Sequence, residues 1–300
     1  MLKILATDGL DKSAVKELEA LGHVVDEQFY EPEDLKEALK DYDVVVVRSA
    51  TKIREPIIDA AAGGRLKMII RAGVGVDNID VKYAEEKGIK VRNTPNSSSA
   101  SVAELVLAHM LSLARFVGIS NVTMRNGEWN KKKYKGIELA GKTLGLVGFG
   151  RISHELAEKA SALGMDVIYT NRSGPKDEYP QFSYMELDEL LKKSDFVSIH
   201  TPAMKDGKPL IDVEKIGLMK NGAYLINCAR GGVVDEAALL EALNSGKLSG
   251  AGIDVFEVEP AKNTELLNHP NVSVTPHIGG STREAQMRIG EEVVEVIKSL

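Results

Sequence analysis

The sequence predicts an α/β protein with two doubly wound parallel sheets. Two series of short β-rich runs alternate with helical patterns, and a glycine-rich turn opens the second series. A length of 300 residues favours two domains over one core.

In the first series KILA (3–6), VVVV (44–47), MII (68–70) and IKV (89–91) read as strands, separated by helical stretches such as SAVKELEAL and PEDLKEAL. Such alternation requires a parallel sheet covered by helices. The turn-like NTPNSSSAS follows. From Val102 to Arg115, Leu105, Leu107, Ala108, Leu111 and Ala114 form a wide apolar surface, as on a long buried helix that joins domains or pairs subunits. The charge run Lys131, Lys132, Lys133 and Lys135 reads first as solvated surface. The second series begins with KTLGLVG (142–148) and continues through DVIYT, DFVSIHT, AYLINC, GAGIDVF and NVSVT. No low-complexity segment or short tandem repeat interrupts either half.

A hydrophobic fraction of 43% supplies a core, and a net charge of −6 gives no cationic field for nucleic acid. Cys228 is the single cysteine, which excludes an internal disulfide and a zinc-thiolate site and suits a reducing cytoplasm. MLKILATDGL lacks the apolar core of a signal peptide, and no run reaches the roughly 18 residues of a membrane span. A cytoplasmic protein with no membrane or metal partner is expected.

LGLVGFGRISHELAEKASALG combines a strand, Gly148-x-Gly150-x-x-Ser153, and a helix with Ile152, Leu156, Ala160 and Leu163 on one face. In a dinucleotide site the first glycine makes the tight turn, the second admits the pyrophosphate, and the helix amides face it. Ser153 stands where a third glycine would favour close packing. About 20 residues further on, where an acidic residue would bind the free ribose diol of NAD, the sequence has Thr170-Asn171-Arg172-Ser173. A guanidinium, an amide and hydroxyls suit a 2′-phosphate and favour NADP over NAD.

Three polar residues follow successive strands of this half: Arg230, Glu259 and His277, the last within TPHIGGST. Strand ends of a parallel sheet meet at the ligand crevice. Together these groups suit carboxylate binding, imidazole orientation and proton transfer near neutral pH. Taken singly each has a structural reading: a salt bridge from Arg230 to Asp235, a turn at Glu259-Pro260, a core histidine. In the first half Arg48 and Arg71 follow strands and suit phosphate, while Gly73-Val74-Gly75 can offer amides to a carboxylate.

NCARGGVVDEAALLEAL, GAGIDVFEVEP and TPHIGGSTREAQ, following GFGRI in order, resemble the D-2-hydroxyacid dehydrogenase family along essentially the whole length. VVVRSATKI and IIRAGVGVDNID resemble its phosphoglycerate-oxidising branch. The resemblance implies that Arg230 orients the substrate carboxylate and carbonyl, that His277 is the acid/base and that Glu259 is its partner. It implies substrate contacts from Arg48, Ser49, Arg71, Val74 and Gly75. Cofactor contacts would come from Gly148, Gly150, Arg151, Ile152, Asn171, Arg172 and Ser173. His200, Thr201, Pro202, Cys228, Ala229, Asp254 and Gly279 would complete them, with Asp254 at the carboxamide and Cys228 a lining residue.

The same resemblance implies a discontinuous arrangement. A flavodoxin-like substrate domain of residues 1–96 and 282–300 would receive a Rossmann-type dinucleotide-binding domain of residues 97–281, with the cleft at the junction. A homodimer through the helix near 100–115 is implied, with Lys131–Lys133 reaching the neighbouring subunit's substrate phosphate. The reaction expected is oxidation of D-3-phosphoglycerate at the entry to serine synthesis. Thr-Asn-Arg-Ser is closer to the NADP-using glyoxylate or hydroxypyruvate reductases of the family, which makes NADPH-dependent reduction the alternative. The helix REAQMRIGEEVVEVIKSL reaches Leu300, so a form without carboxy-terminal regulatory domains is expected. Some relatives of this fold are dinucleotide-sensing corepressors, but Arg230, Glu259 and His277 together favour an enzyme.

Overall fold

A computed structural model describes residues 1–204 and 206–300. The chain divides into two compact units, Met1–Ser98 with Gly280–Leu300, and Ser99–Gly279. In chain order the first unit contains β1 (Lys3–Ala6), α1 (Lys12–Ala20), β2 (Val24–Asp26), α2 (Pro32–Ala38), β3 (Val44–Val47), α3 (Glu55–Ala61), β4 (Met68–Arg71), α4 (Val81–Glu86) and β5 (Lys90–Asn93). The second unit begins with α5 (Ser99–Arg115) and α6 (Val117–Arg125), followed by β6 (Thr143–Val147), α7 (Arg151–Ala162), β7 (Asp166–Thr170) and β8 (Ser183–Tyr184). It continues through α8 (Leu187–Lys193), β9 (Phe196–Ile199), α9 (Val213–Leu218), β10 (Ala223–Asn227), α10 (Glu236–Asn244), β11 (Leu248–Ile253), α11 (Thr264–Asn268) and β12 (Val272–Val274). The chain then returns to the first unit as α12 (Arg283–Lys298).

The first unit is a five-stranded parallel sheet ordered β2-β1-β3-β4-β5. This is the flavodoxin-like winding, whose switch point lies between β1 and β3. All four valines of β3 are buried, as a central strand covered on both faces requires. Leu35, Ile58 and Ala84 cover one face from α2, α3 and α4, and Leu18, Ile289 and Val293 cover the other from α1 and α12. Side chains of Asp11 and Thr282 accept the first free amides of α1 and α12, while Pro32 and Pro56 start α2 and α3 where no amide donor is needed.

The second unit is a seven-stranded parallel sheet ordered β12-β11-β10-β9-β6-β7-β8. Its order reverses between β6 and β9, the Rossmann switch point. Met110, Leu156 and Ala160 of α5 and α7 pack on one face, and Leu190, Ile216 and Leu239 of α8, α9 and α10 on the other.

Both doubly wound sheets expected from the sequence are present. The run at 68–70 is extended by one residue, since β4 includes Arg71, and the run at 89–91 is shifted, since β5 covers Lys90–Asn93. Two strands were not anticipated, β2 and β8, because they are short and carry no fully buried residue. The long helix starts at Ser99, and its buried residues include Val102, Val106, His109, Met110 and Leu113, whereas Leu111 is exposed. A helix apolar around most of its circumference gives weak guidance about which side meets the sheet.

Gly145 in β6 marks a close approach by α8. A Cβ there would lie 2.1 Å from Ser194 Oγ and 2.6 Å from Leu190 Cδ2. Gly145→Ala is expected to lower stability by about 1–3 kcal/mol through overpacking. Urea unfolding checks this: the midpoint should fall with an unchanged slope, and an unaltered midpoint would contradict the close contact.

Candidate active site

His277 follows β12 in a turn that the backbone would not adopt unaided. Its φ of +53° is in the left-handed region, which costs a residue with a side chain roughly 1 kcal/mol or more. Asp254, just beyond β11 and 1% exposed, compensates. Its Oδ1 accepts from Ile278 N at 2.8 Å and Thr275 Oγ1 at 2.6 Å, and its Oδ2 accepts from Gly279 N at 2.9 Å. The His277 amide donates to Asp254 O at 2.8 Å. One buried residue therefore holds the turn from both sides of the imidazole.

The imidazole Nδ1 lies 2.8 Å from Glu259 Oε2 and 3.1 Å from Oε1. Glu259 in turn accepts from Phe256 N at 3.2 Å, fixing its carboxylate beside its own loop. Both side chains are part-exposed, at 34% and 38%. A carboxylate only accepts, so Nδ1 carries the proton and Nε2 is left for exchange with another molecule.

Arg230 stands in the loop after β10. Its Nη1 donates to Ala229 O at 2.6 Å, and Asn227 closes the loop by donating to Arg230 O at 2.9 Å and accepting from Ala229 N at 3.1 Å. A Cβ on Gly231 would lie 1.8 Å from Phe256 O, so this loop abuts the loop that carries Glu259. Asp235 caps α10 by accepting from Ala238 N.

At the switch point Gly148 has φ +93°, and a Cβ there would lie 2.7 Å from His200 O. Only glycine permits that approach between the ends of β6 and β9. Gly150 is exposed at the N-terminus of the 12-residue α7, and a Cβ there would meet nothing within 4 Å, which leaves open space beside the first turn of the helix. Ser153 is completely buried, and its hydroxyl donates to Gly148 O at 2.7 Å, which accommodates a side chain in the third glycine's place. Phe149 anchors the turn, stacking on Tyr169 at 4.1 Å between centroids. Thr201 Oγ1 is buried without a protein partner, a polar atom positioned for a ligand. These features fit a dinucleotide. Arg151 is exposed and Ile152 half-buried at the start of α7, and Ala229 is half-buried beside Cys228. Pro202, Arg172 and Ser173 are exposed, Asn171 donates to Ser173 Oγ at 2.8 Å, and Gly279 is buried. Burial pushes the Cys228 thiol well above its ordinary range, leaving it neutral and inert as a nucleophile.

In the first unit Arg48 follows β3 at that sheet's own switch point. Asp8, beyond β1, accepts from Arg48 N at 2.6 Å and Thr51 N at 3.1 Å, and Asn78 donates to Arg48 O and Thr51 O, both at 2.7 Å. Ser49 lies exposed within the same loop. An open cleft of about 440 Å³ is lined by Arg48, Arg283, Thr282, Gln286 and Asp11. Neither Arg48 nor Arg283 has an ion-pair partner among the described residues. Arg71 folds over Gly73: its Nη1 donates to Ala72 O at 2.9 Å, and a Cβ on Gly73 would lie 1.5 Å from that nitrogen. Asn93 donates to Val74 O at 2.6 Å, and Gly75 is half-buried in the same turn.

Comparison with known proteins now adds a family. Residues 107–279 match the model described as "D-isomer specific 2-hydroxyacid dehydrogenase, NAD binding domain". A D-3-phosphoglycerate dehydrogenase of Methanocaldococcus jannaschii is 46% identical over all of this chain and 57% of its own length. A hydroxypyruvate reductase of Thermotoga maritima is 47% identical over 98% of this chain and 97% of its own. The chain belongs to the D-isomer specific 2-hydroxyacid dehydrogenase family. The crystal structure of the TT0316 protein of Thermus thermophilus superposes with a TM-score of 0.90 at 37% identity, covering 98% of this chain and 95% of that one. This chain spans little more than half of the Methanocaldococcus relative.

Asp254, expected at the cofactor carboxamide, accepts from Thr275, Ile278 and Gly279 through its two carboxylate oxygens, and a carboxylate with about four acceptor positions keeps room for a further donor. Five polar residues of these surroundings went unread: Asp8, Asn78, Asn227, His109 and Arg283. Asp8 and Asn227 carried a usable signal, since both lie at the carboxyl ends of strands. Arg283 carried none, because only the fold brings α12 beside β3.

His200 gives a pH prediction. Its Nε2 lies 2.9 Å from Ser198 Oγ, and desolvation lowers its pKa from 6.5 to about 4. The unfolded chain therefore binds the proton first, and the native state loses stability as pH falls from 6.5 towards 4. His200→Gln should lose less stability than wild type between pH 7.5 and pH 4.5 in urea unfolding, and equal losses would contradict a neutral, desolvated imidazole.

Proposed function

We propose that this protein is a nicotinamide-dependent D-2-hydroxyacid dehydrogenase that oxidises D-3-phosphoglycerate to 3-phosphohydroxypyruvate, supplying serine synthesis. The observation that carries the chemistry is the His277–Glu259 contact, which leaves Nε2 as the exchangeable site. A nicotinamide, when bound, accepts the hydride from C2 of the hydroxy acid. His277 Nε2 takes the C2 hydroxyl proton as the C2–O bond becomes a carbonyl, and Glu259 stabilises the resulting imidazolium. In the reverse direction His277 starts protonated and returns that proton to the oxygen. Arg230 engages the substrate carboxylate as a bidentate fork.

The phosphate assignment is supported by Arg48 and Arg283 facing one cleft, with Arg71 held at the end of β4. Arg172, exposed beyond β7 and without a carboxylate partner among the described residues, supports NADP over NAD. That preference, with the Thermotoga relative's name, favours a second reading, NADPH-dependent reduction of hydroxypyruvate or glyoxylate. Homodimerisation is supported by α6, which has no buried residue and exposes Val117, Val122 and Met124, with Trp129 beyond it 77% exposed. The exposed Lys131–Lys133 run would then extend toward the neighbouring subunit's phosphate. The single free cysteine supports a cytoplasmic location.

Initial rates with 3-phosphoglycerate, hydroxypyruvate and glyoxylate, each with both cofactors, test the reading. Turnover of 3-phosphoglycerate is expected, with His277→Ala lowering kcat about 10²–10⁴-fold. Arg48→Gln should raise KM for the phosphorylated acid by about 10-fold or more and leave KM for hydroxypyruvate within a small factor. Activity on the unphosphorylated acids alone would replace the first reading by the second.

A further inference from the structure

His109 is 2% exposed, points from α5 into the sheet, and takes no part in the chemistry above. Its ring bridges two hydroxyls near the end of β12: Nδ1 lies 2.9 Å from Ser273 Oγ, and Nε2 lies 3.1 Å from Thr275 Oγ1. Thr275 in turn donates to Asp254 Oδ1 at 2.6 Å. Counting protons fixes the direction of every bond. A threonine hydroxyl has one proton, and this one goes to the carboxylate, so toward His109 the same oxygen accepts. Nε2 of His109 therefore carries the ring proton. Burial lowers the pKa of His109, so the ring is neutral, Nδ1 is an acceptor and Ser273 is the donor.

We infer that His109 is a positioning residue for His277, acting through Thr275 and Asp254 and itself bonded to neither His277 nor Glu259. The chain runs from Ser273 to His109, to Thr275, to Asp254, and on to the amides of Ile278 and Gly279 that flank the imidazole. Without the Nε2 donor, the Thr275 hydroxyl loses one of its two partners and can rotate away from Asp254. The carboxylate then has one donor fewer, and the left-handed turn at His277 loses part of its support. The ring is also confined sterically. A Cβ on Gly252 of β11 would lie 2.7 Å from His109 Cβ, so α5 sits directly on the strand that leads into Asp254.

This inference rests on the dehydrogenase reading for its kinetic test but not for its structural one. His109→Leu should lower kcat about 10-fold or more at saturating cofactor, with the cofactor Kd and the substrate KM within a small factor of wild type. His109→Gln, whose terminal amide can donate to Thr275, should recover most of that loss. Thr275→Val removes the relay without removing the ring, and the double variant His109→Leu/Thr275→Val should be no worse than the poorer single variant. Hydrogen exchange of the Ile278 and Gly279 amides supplies a readout independent of turnover: both should exchange faster in His109→Leu, while β6 amides stay protected. A stable His109→Leu protein with wild-type kcat, additive losses in the double variant, or unchanged exchange at 278 and 279 would overturn the inference. Absence of wild-type turnover on every acid would instead defeat the dehydrogenase reading, and the exchange comparison would still decide the role of His109.

Discussion

The turn that carries His277 at the end of the Rossmann sheet depends on one buried carboxylate. A charge placed at 1% exposure is costly unless it is hydrogen-bonded, and Asp254 receives three donors from residues 275–279. The same contacts that satisfy the charge hold His277 at φ +53°, so a desolvation cost and a backbone cost offset each other in one device. The direction of the imidazole follows from the turn, and Glu259 only has to meet it.

Both sheets place their polar loops where winding reverses, and each does so by close backbone approach. In the second unit Gly148 lies against the carbonyl of His200 across the switch point. In the first, Asp8 at the end of β1 secures the loop after β3, which leaves the Arg48 side chain available to its cleft. Loops tied in this way cost little to order on ligand binding. Arg71 follows the same principle, with glycine at position 73 making room for its guanidinium.

Much of this was legible in the sequence because it is written in local pattern. VVVV at 44–47 reads as a strand buried on both faces, and Gly148-x-Gly150 between a strand and a helix marks the strand-to-helix turn at which β6 passes into α7. Arg230, Glu259 and His277 were singled out by a topological rule, that strand ends converge, and of these the His277–Glu259 contact is present. What remained unread is non-local. His109 looked like one polar residue in an apolar helix, and nothing in LAHMLS announces Ser273 and Thr275, more than 160 positions away, as its partners. Arg283 joins Arg48 only because α12 returns to the first sheet. The edge strands β2 and β8 were missed for the opposite reason: they bury too little to leave a pattern.

The central claim is that Asp254 presents His277, and Asp254→Asn tests it most directly. The amide keeps the shape of the side chain but sets N–H groups against the donors of the turn. At saturating cofactor and substrate, kcat should fall about 100-fold, since an unsatisfied buried donor costs roughly 1–3 kcal/mol and the imidazole is displaced. A variant that folds and keeps wild-type kcat would show that the turn holds His277 without the carboxylate and would contradict the account.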